Sequence, residues 1–194
     1  MENFLGKIVL VTGAGKGAGR KIAQGFAAQG AIVAANDISP INLDAVVNEI
    51  NAVGGRAHAY VHDIAKKVDV QAMINNITDD FGRIDILVNC AHVEPRTSLI
   101  NLDEWDLHRV FEVNAIGTLL MMQSVSRVMR TQDSGIIVNV VKLSTDSPVS
   151  FIASRAGIAA MTSRAAEEMA QHGIHVFAVT DDDPAEAVLT ACEG

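Results

Sequence analysis

The chain has 194 residues, enough to bury a core without disulfides or metals. Hydrophobic residues make up 49% and charged residues 20%, the balance of a globular chain and not of a disordered one. The net charge of −8 argues against a phosphate-backbone binder, so no nucleic-acid partner is expected.

Aromatic residues are only 4%, which leaves Ala, Val and Ile to fill the core, as suits parallel strands buried on both faces. Lys7 to Thr12 is the first expected strand, and Gly17 to Gln29 the helix after it, stopped by Gly30. Ala31 to Asn36 is the second strand. Ser39-Pro40 then offers an N-cap with proline at the first helical position, opening a helix that ends at Gly54-Gly55. Arg56 to His62, Val68 to Phe81 and Ile84 to Asn89 read as strand, helix and strand. Asn101 and Glu104 have capping-box spacing and open a helix that runs through Asn114 to near Asp133. Ile136 to Val141 is the fifth strand, Phe151 to His172 a helix stopped by Gly173, and Ile174 to Val179 the sixth strand. Repeated strand–helix units predict one α/β domain: a doubly wound, Rossmann-like parallel sheet of about six strands with helices on both faces.

No apolar run approaches the roughly 18 residues of a membrane span, and the first ten residues lack the pattern of a signal peptide. Cys90 and Cys192 have no Cys or His at zinc-ligand spacing, and two isolated thiols do not make a disulfide framework. These features point to a cytoplasmic protein with no membrane partner and no metal.

Thr12-Gly13-Ala14-Gly15-Lys16-Gly17-Ala18-Gly19 joins the first strand to the first helix. Glycines allow the tight turn and let backbone N–H groups approach a pyrophosphate at the helix N-terminus, where the dipole favours negative charge. Asp37, at the end of the second strand, is placed to accept from the ribose hydroxyls of adenosine. Its carboxylate would repel the extra phosphate of NADP and favours NAD, although Lys16 in the loop pulls the other way.

From these residues onward the sequence resembles the short-chain dehydrogenase/reductase family. Gly13, Gly17 and Gly19 match its Thr-Gly-x-x-x-Gly-x-Gly spacing. His62-Asp63-Ile64 is similar to the segment whose Asp contacts adenine. Asn89-Cys90-Ala91-His92 stands at the Asn-Asn-Ala-Gly position, and Val113-Asn114-Ala115-x-Gly117 resembles the helix bearing the catalytic Asn. The resemblance implies a cofactor site made by Gly13, Lys16, Gly17, Ala18, Gly19, Asp37, Asp63, Ile64, Asn89 and Ala91. It also implies a catalytic set in which Ser positions a carbonyl, Tyr moves the proton, Lys holds the nicotinamide ribose and Asn anchors a water.

Much of that set is absent. The family's Tyr-x-x-x-Lys falls on Phe151 and Arg155. Phe151 has no ionisable group, and Arg155 is permanently charged with a planar fork in place of an ammonium. The one tyrosine, Tyr60, lies in the third strand on the adenine side. Val141-Lys142 stands where paired small residues are expected, with Ser144 and Ser147 as loop hydroxyls beyond it. Lys142 reads either as a substitute proton donor or as a solvated loop lysine. The family's Pro-Gly falls on Asp181-Asp182, and Asp183 beside them adds charge that would oppose a pyrophosphate unless the segment turns outward. By the same resemblance, a substrate-covering helix and a seventh strand fall beyond Gly194.

His92 replaces a glycine beside the expected cofactor path, either as a contact or titrating group or as a space-filling loop residue. Trp105 and the Met121-Met122 pair sit on helical patterns that read as core or helix-interface packing. Three functions remain open: an NAD(H)-binding protein without turnover, an oxidoreductase using Asn114, Lys142, Arg155 or a loop hydroxyl, and an oligomerisation scaffold. The expected homo-oligomer surface is the helix pair 114–130 and 151–171, rich in small residues such as Ala153, Ala156, Gly157, Ala159 and Ala160.

Overall fold

A computed structural model of the chain describes residues 3–142, 146–181 and 183–193. The strands are β1 (Ile8–Thr12), β2 (Ile32–Asp37), β3 (Arg56–Val61), β4 (Ile86–Asn89), β5 (Gly135–Val140) and β6 (Ile174–Val179). They form one parallel sheet in the order β3-β2-β1-β4-β5-β6. The helices are α1 (Gly17–Ala28), α2 (Pro40–Ala52), α3 (Lys67–Phe81), α4 (Glu104–Val110), α5 (Thr118–Gln132), α6 (Val149–Met169) and α7 (Pro184–Cys192).

The three layers follow from the period of the strands, whose side chains alternate between faces. In β1, Val9 and Val11 join the core that holds Ile22 and Phe26 of α1, Leu43 and Val46 of α2, and Val188 of α7. Ile8 and Leu10 turn to the opposite core, with Met73 and Ile77 of α3 and Met121 and Val125 of α5. Both faces of the sheet are thereby covered, which is why its central strands carry apolar residues at nearly every position. Strand order reverses between β1 and β4, and the carboxyl ends of the strands open there into a crevice.

Several elements differ from the sequence expectation. β4 starts at Ile86 and not Ile84. Asp85 is spent on holding the sheet's start, its Oδ2 accepting from Ile8 N at 2.8 Å while Arg83 pairs with its Oδ1 at 2.6 Å. Helix α4 is capped by Asp103, which accepts from Asp106 N at 2.7 Å. Asn101 lies instead in a 3-10 turn over Leu99–Asn101 and donates to Ser98 Oγ. The expected continuous helix is interrupted by a π-helical stretch, Phe111–Gly117, where the Thr118 hydroxyl donates to the Asn114 carbonyl at 2.6 Å. Trp105 is 73% exposed and packs in neither core, whereas Met121 and Met122 are buried as expected. The sequence reading omitted α7, whose apolar side rests on α1 with Leu189 against Gly25.

Candidate functional site

Thr12 ends β1 with its hydroxyl accepting from Cys90 N at 3.1 Å and Ala91 N at 3.2 Å, which stitches the loop after β4 to the glycine loop. The glycine-loop pattern includes Thr12, but no local pattern shows that its hydroxyl reaches the loop after β4. Gly13 has φ +67°, and a Cβ there would stand 2.7 Å from Ala91 Cα. A Cβ on Gly19 would run into the Gly13 carbonyl. The turn therefore tolerates no side chain at either position, and Gly17 and Ala18 of the first turn of α1, where a helix's N–H groups lack intrahelical partners, line the crevice. Lys16, the N-cap residue, is extended and its side chain is exposed.

The crevice has two lobes that share Gly17, Ala18, Cys90, His92 and Glu94. The first, about 610 Å³, is lined by Gly13, Lys16, Gly19, Asp37, Ile38, Asp63, Ile64 and Ala91. Asp37 accepts from Gly15 N at 2.9 Å and from Ser39 N at 3.0 Å, so the backbone fixes its carboxylate in place while further lone pairs remain to accept from hydroxyls. Asp63 accepts from Ala65 N at 3.0 Å and faces Arg109 at 3.6 Å. The sequence reading did not single out Arg109.

The second lobe, about 940 Å³, is lined by Lys21, Arg96, Lys142, Asp146, Ser147, Phe151, Arg155 and Asp183 among others. Phe151 is 3% exposed and Arg155 2% exposed. The Arg155 guanidinium lies 4.9 Å from the centre of the Phe151 ring, and its Nη1 donates to the Val140 carbonyl at 2.9 Å. Its buried Nε has no hydrogen-bond partner. Desolvation pulls the Arg155 pKa down to about 10, which still leaves it a cation at neutral pH. Burial pushes the Cys90 thiol up to about 11, so it is protonated and not nucleophilic.

His92 donates from Nδ1 to the Cys90 carbonyl at 2.9 Å, which fixes the tautomer and leaves Nε2 as an acceptor. Its ring meets Phe151 edge-on at 5.8 Å. Desolvation first, and then the Arg155 charge, lower its pKa, so the imidazole is neutral at pH 7. Asp183 forms an ion pair with Lys21 at 3.5 Å and Asp181 caps the Asp183 N–H at 2.9 Å. The acidic segment thus reaches the crevice with one of its charges already offset. Asp182 and Ser144 lie outside the described residues.

Two predicted site residues are placed differently from the expectation. Asn89 does not line either lobe; it donates to Asn139 Oδ1 at 2.9 Å across the paired strands, and Asn139 in turn donates to Thr162 at 2.8 Å. Asn114 is fully buried behind the wall. Its Oδ1 accepts from Val93 N at 2.9 Å, and its Nδ2 donates to Val93 O at 3.0 Å and Ser154 Oγ at 3.1 Å. The Asn114 amide is consumed by the scaffold, whereas Asn89 commits only its Nδ2 and its buried Oδ1 has no hydrogen-bond partner. Tyr60 lies on edge strand β3, hydrogen-bonded to Asp80 at 2.6 Å, with burial and that carboxylate raising its pKa.

The short chain dehydrogenase family model matches residues 7–181. The chain belongs to the short chain dehydrogenase family. It is 35% identical over 178 residues to a 3-oxoacyl-[acyl-carrier-protein] reductase of Thermotoga maritima, covering 90% of this chain and 72% of that one. It is 38% identical over 176 residues to the (2S)-[(R)-hydroxy(phenyl)methyl]succinyl-CoA dehydrogenase subunit BbsD of Thauera aromatica, covering 89% and 71%. Among solved structures, a metagenomic short-chain oxidoreductase in complex with NADP superposes with a TM-score of 0.92 at 26% identity, covering 98% of this chain and 92% of that one. An NAD+-bound xylitol dehydrogenase superposes with a TM-score of 0.87 at 30% identity, covering 91% and 70%. The Rossmann-like architecture is therefore common to complexes of both dinucleotides. Among the described residues no helix is long and apolar enough to cross a membrane, and no group of acidic, His and Cys side chains is arranged to hold a metal.

Proposed function

We propose that this chain is a dinucleotide-binding member of the family that has lost ordinary carbonyl–alcohol turnover. Phe151 is the observation that carries the proposal. A buried phenyl ring stands where the family pattern has its tyrosine, and it can neither give nor take a proton. The glycine turn supports the binding half: Gly13 and Gly19 leave a cradle that a Cβ would fill, next to a helix N-terminus without acidic residues in its first turn. Gly17 and Ala18 would hold the pyrophosphate, Asp37 the adenosine ribose, and Ile38, Asp63 and Ile64 the adenine end. NAD is favoured over NADP, since Asp37 carries a charge where NADP has its phosphate. A bound nicotinamide dinucleotide would supply a hydride donor or acceptor; this chain would supply position and charge.

A second reading, an atypical oxidoreductase, is favoured by Lys142 and neutral His92 lining the same lobe as Phe151. A homo-oligomeric, cytoplasmic protein fits the sequence, with Ile116 and Leu119 exposed on one helix and Ala153, Ala156 and Gly157 on the other. The test is to saturate the protein with NADH and follow its absorbance with aldehydes, ketones and 3-oxoacyl thioesters. Binding without consumption is expected; sustained consumption that disappears with Lys142→Ala would favour the second reading.

A further inference from the structure

The nicotinamide ring is the one part of the dinucleotide whose charge changes with its redox state: the oxidised ring is a cation and the reduced ring is neutral. Asp37 and the glycine turn assign the smaller lobe to adenosine and the shared wall to the pyrophosphate, which leaves the larger lobe for the nicotinamide nucleoside. Arg155 stands in the wall of that lobe. Among the described residues no carboxylate ion-pairs with it, its Nε has no partner, and its hydrogen bond goes to a neutral carbonyl. The ring beside it is a phenyl, so no phenolate is available to offset its charge.

We propose that the crevice discriminates between redox states, holding the reduced dinucleotide in preference to the oxidised one through the buried Arg155 charge. The inference rests on the dinucleotide-site reading above. Other charges line the lobe, but they differ in kind. Lys21 is paired with Asp183, and Arg96, Lys142, Asp146 and Asp183 are exposed, where solvent and salt screen them. Glu94 is partly buried and its field favours the Arg155 cation, so it offsets part of the effect without a bond to it. The ordinary consequence of a carboxylate bonded to an arginine is a raised pKa. Here the pKa falls to about 10, because desolvation of the buried guanidinium outweighs the favourable field of Glu94. His92 is neutral and adds no charge at pH 7.

The test is calorimetric titration of the full chain with NADH and with NAD+ under identical buffer, for wild type, Arg155→Met and Arg155→Lys. Wild type is expected to bind NADH about tenfold tighter than NAD+. Arg155→Met, which keeps the apolar stem, is expected to draw the two affinities together chiefly by tightening NAD+, and Arg155→Lys to keep them apart. Equal affinities in wild type, or an unchanged ratio in a folded Arg155→Met, overturn this inference and leave the binding reading standing. Failure of wild type to bind either form overturns both. If Arg155→Met does not fold, the Arg155→Lys ratio decides: a preference that collapses with the charge retained is the contradicting result.

Discussion

The two lobes of the crevice are built from different materials. Around the glycine turn, the residues that would touch a ligand are backbone N–H groups and one carboxylate held by two backbone amides, and the shape comes from places where no Cβ fits. Around Phe151 and Arg155, the wall is made of side chains whose polar groups face carbonyls or one another, with an orphaned guanidinium nitrogen left over. A binding surface made of backbone survives side-chain replacement, whereas a proton-moving surface made of two side chains disappears with two substitutions. On the reading proposed above, that asymmetry would let one half of the site retain its form while the other changes character.

The comparison is broken most sharply at the turn itself. Gly19→Val would drive a side chain into the Gly13 carbonyl, costing about 3 kcal/mol or more of stability and abolishing dinucleotide binding. Chemical denaturation and titration read the two effects; a variant that binds as wild type would show that the cradle is not the ligand's seat. Asn114→Ala removes three hydrogen bonds that join the loop after β4 to α6, and about 2–4 kcal/mol of stability should go with them. Urea unfolding checks this, and a loss below about 0.5 kcal/mol would contradict the scaffold role given to Asn114.

A smaller effect concerns pH. The folded state lowers the His92 pKa, so the unfolded chain binds that proton more readily. The stability contributed by neutral His92 is complete above its ordinary value of 6.5 and declines as pH falls below it. Thermal unfolding across that range should show wild type losing stability on acidification faster than His92→Gln. Parallel curves for the two proteins would remove His92 from the account.

The alternation of strands and helices, both covered faces and the turn after β1 were legible because they depend on patterns that sequence displays directly: strand runs, glycine spacing and Ser39-Pro40. The form of the crevice was legible where backbone makes it and less so where side chains do. Asn89 and Asn114 matched positions, but a motif does not report what else an amide can reach, and here Asn139, Val93 and Ser154 reach them first. The Thr12 tie and the Arg109–Asp63 contact depend on segments far apart in the chain, so no local pattern announces them. The π-helical stretch Phe111–Gly117 lies inside a run whose apolar pattern reads as plain α-helix, so the pattern does not display it. Helix α7 was within reach, since Asp183-Pro184 begins it with a proline at the first helical position.

The most direct measurement is calorimetric titration of wild type and Asp37→Ala with NAD. The account predicts saturable binding to wild type that weakens about tenfold in Asp37→Ala, as expected for losing one charge-assisted hydrogen-bond acceptor. Absence of binding to folded wild type, or equal binding by both proteins, would contradict it.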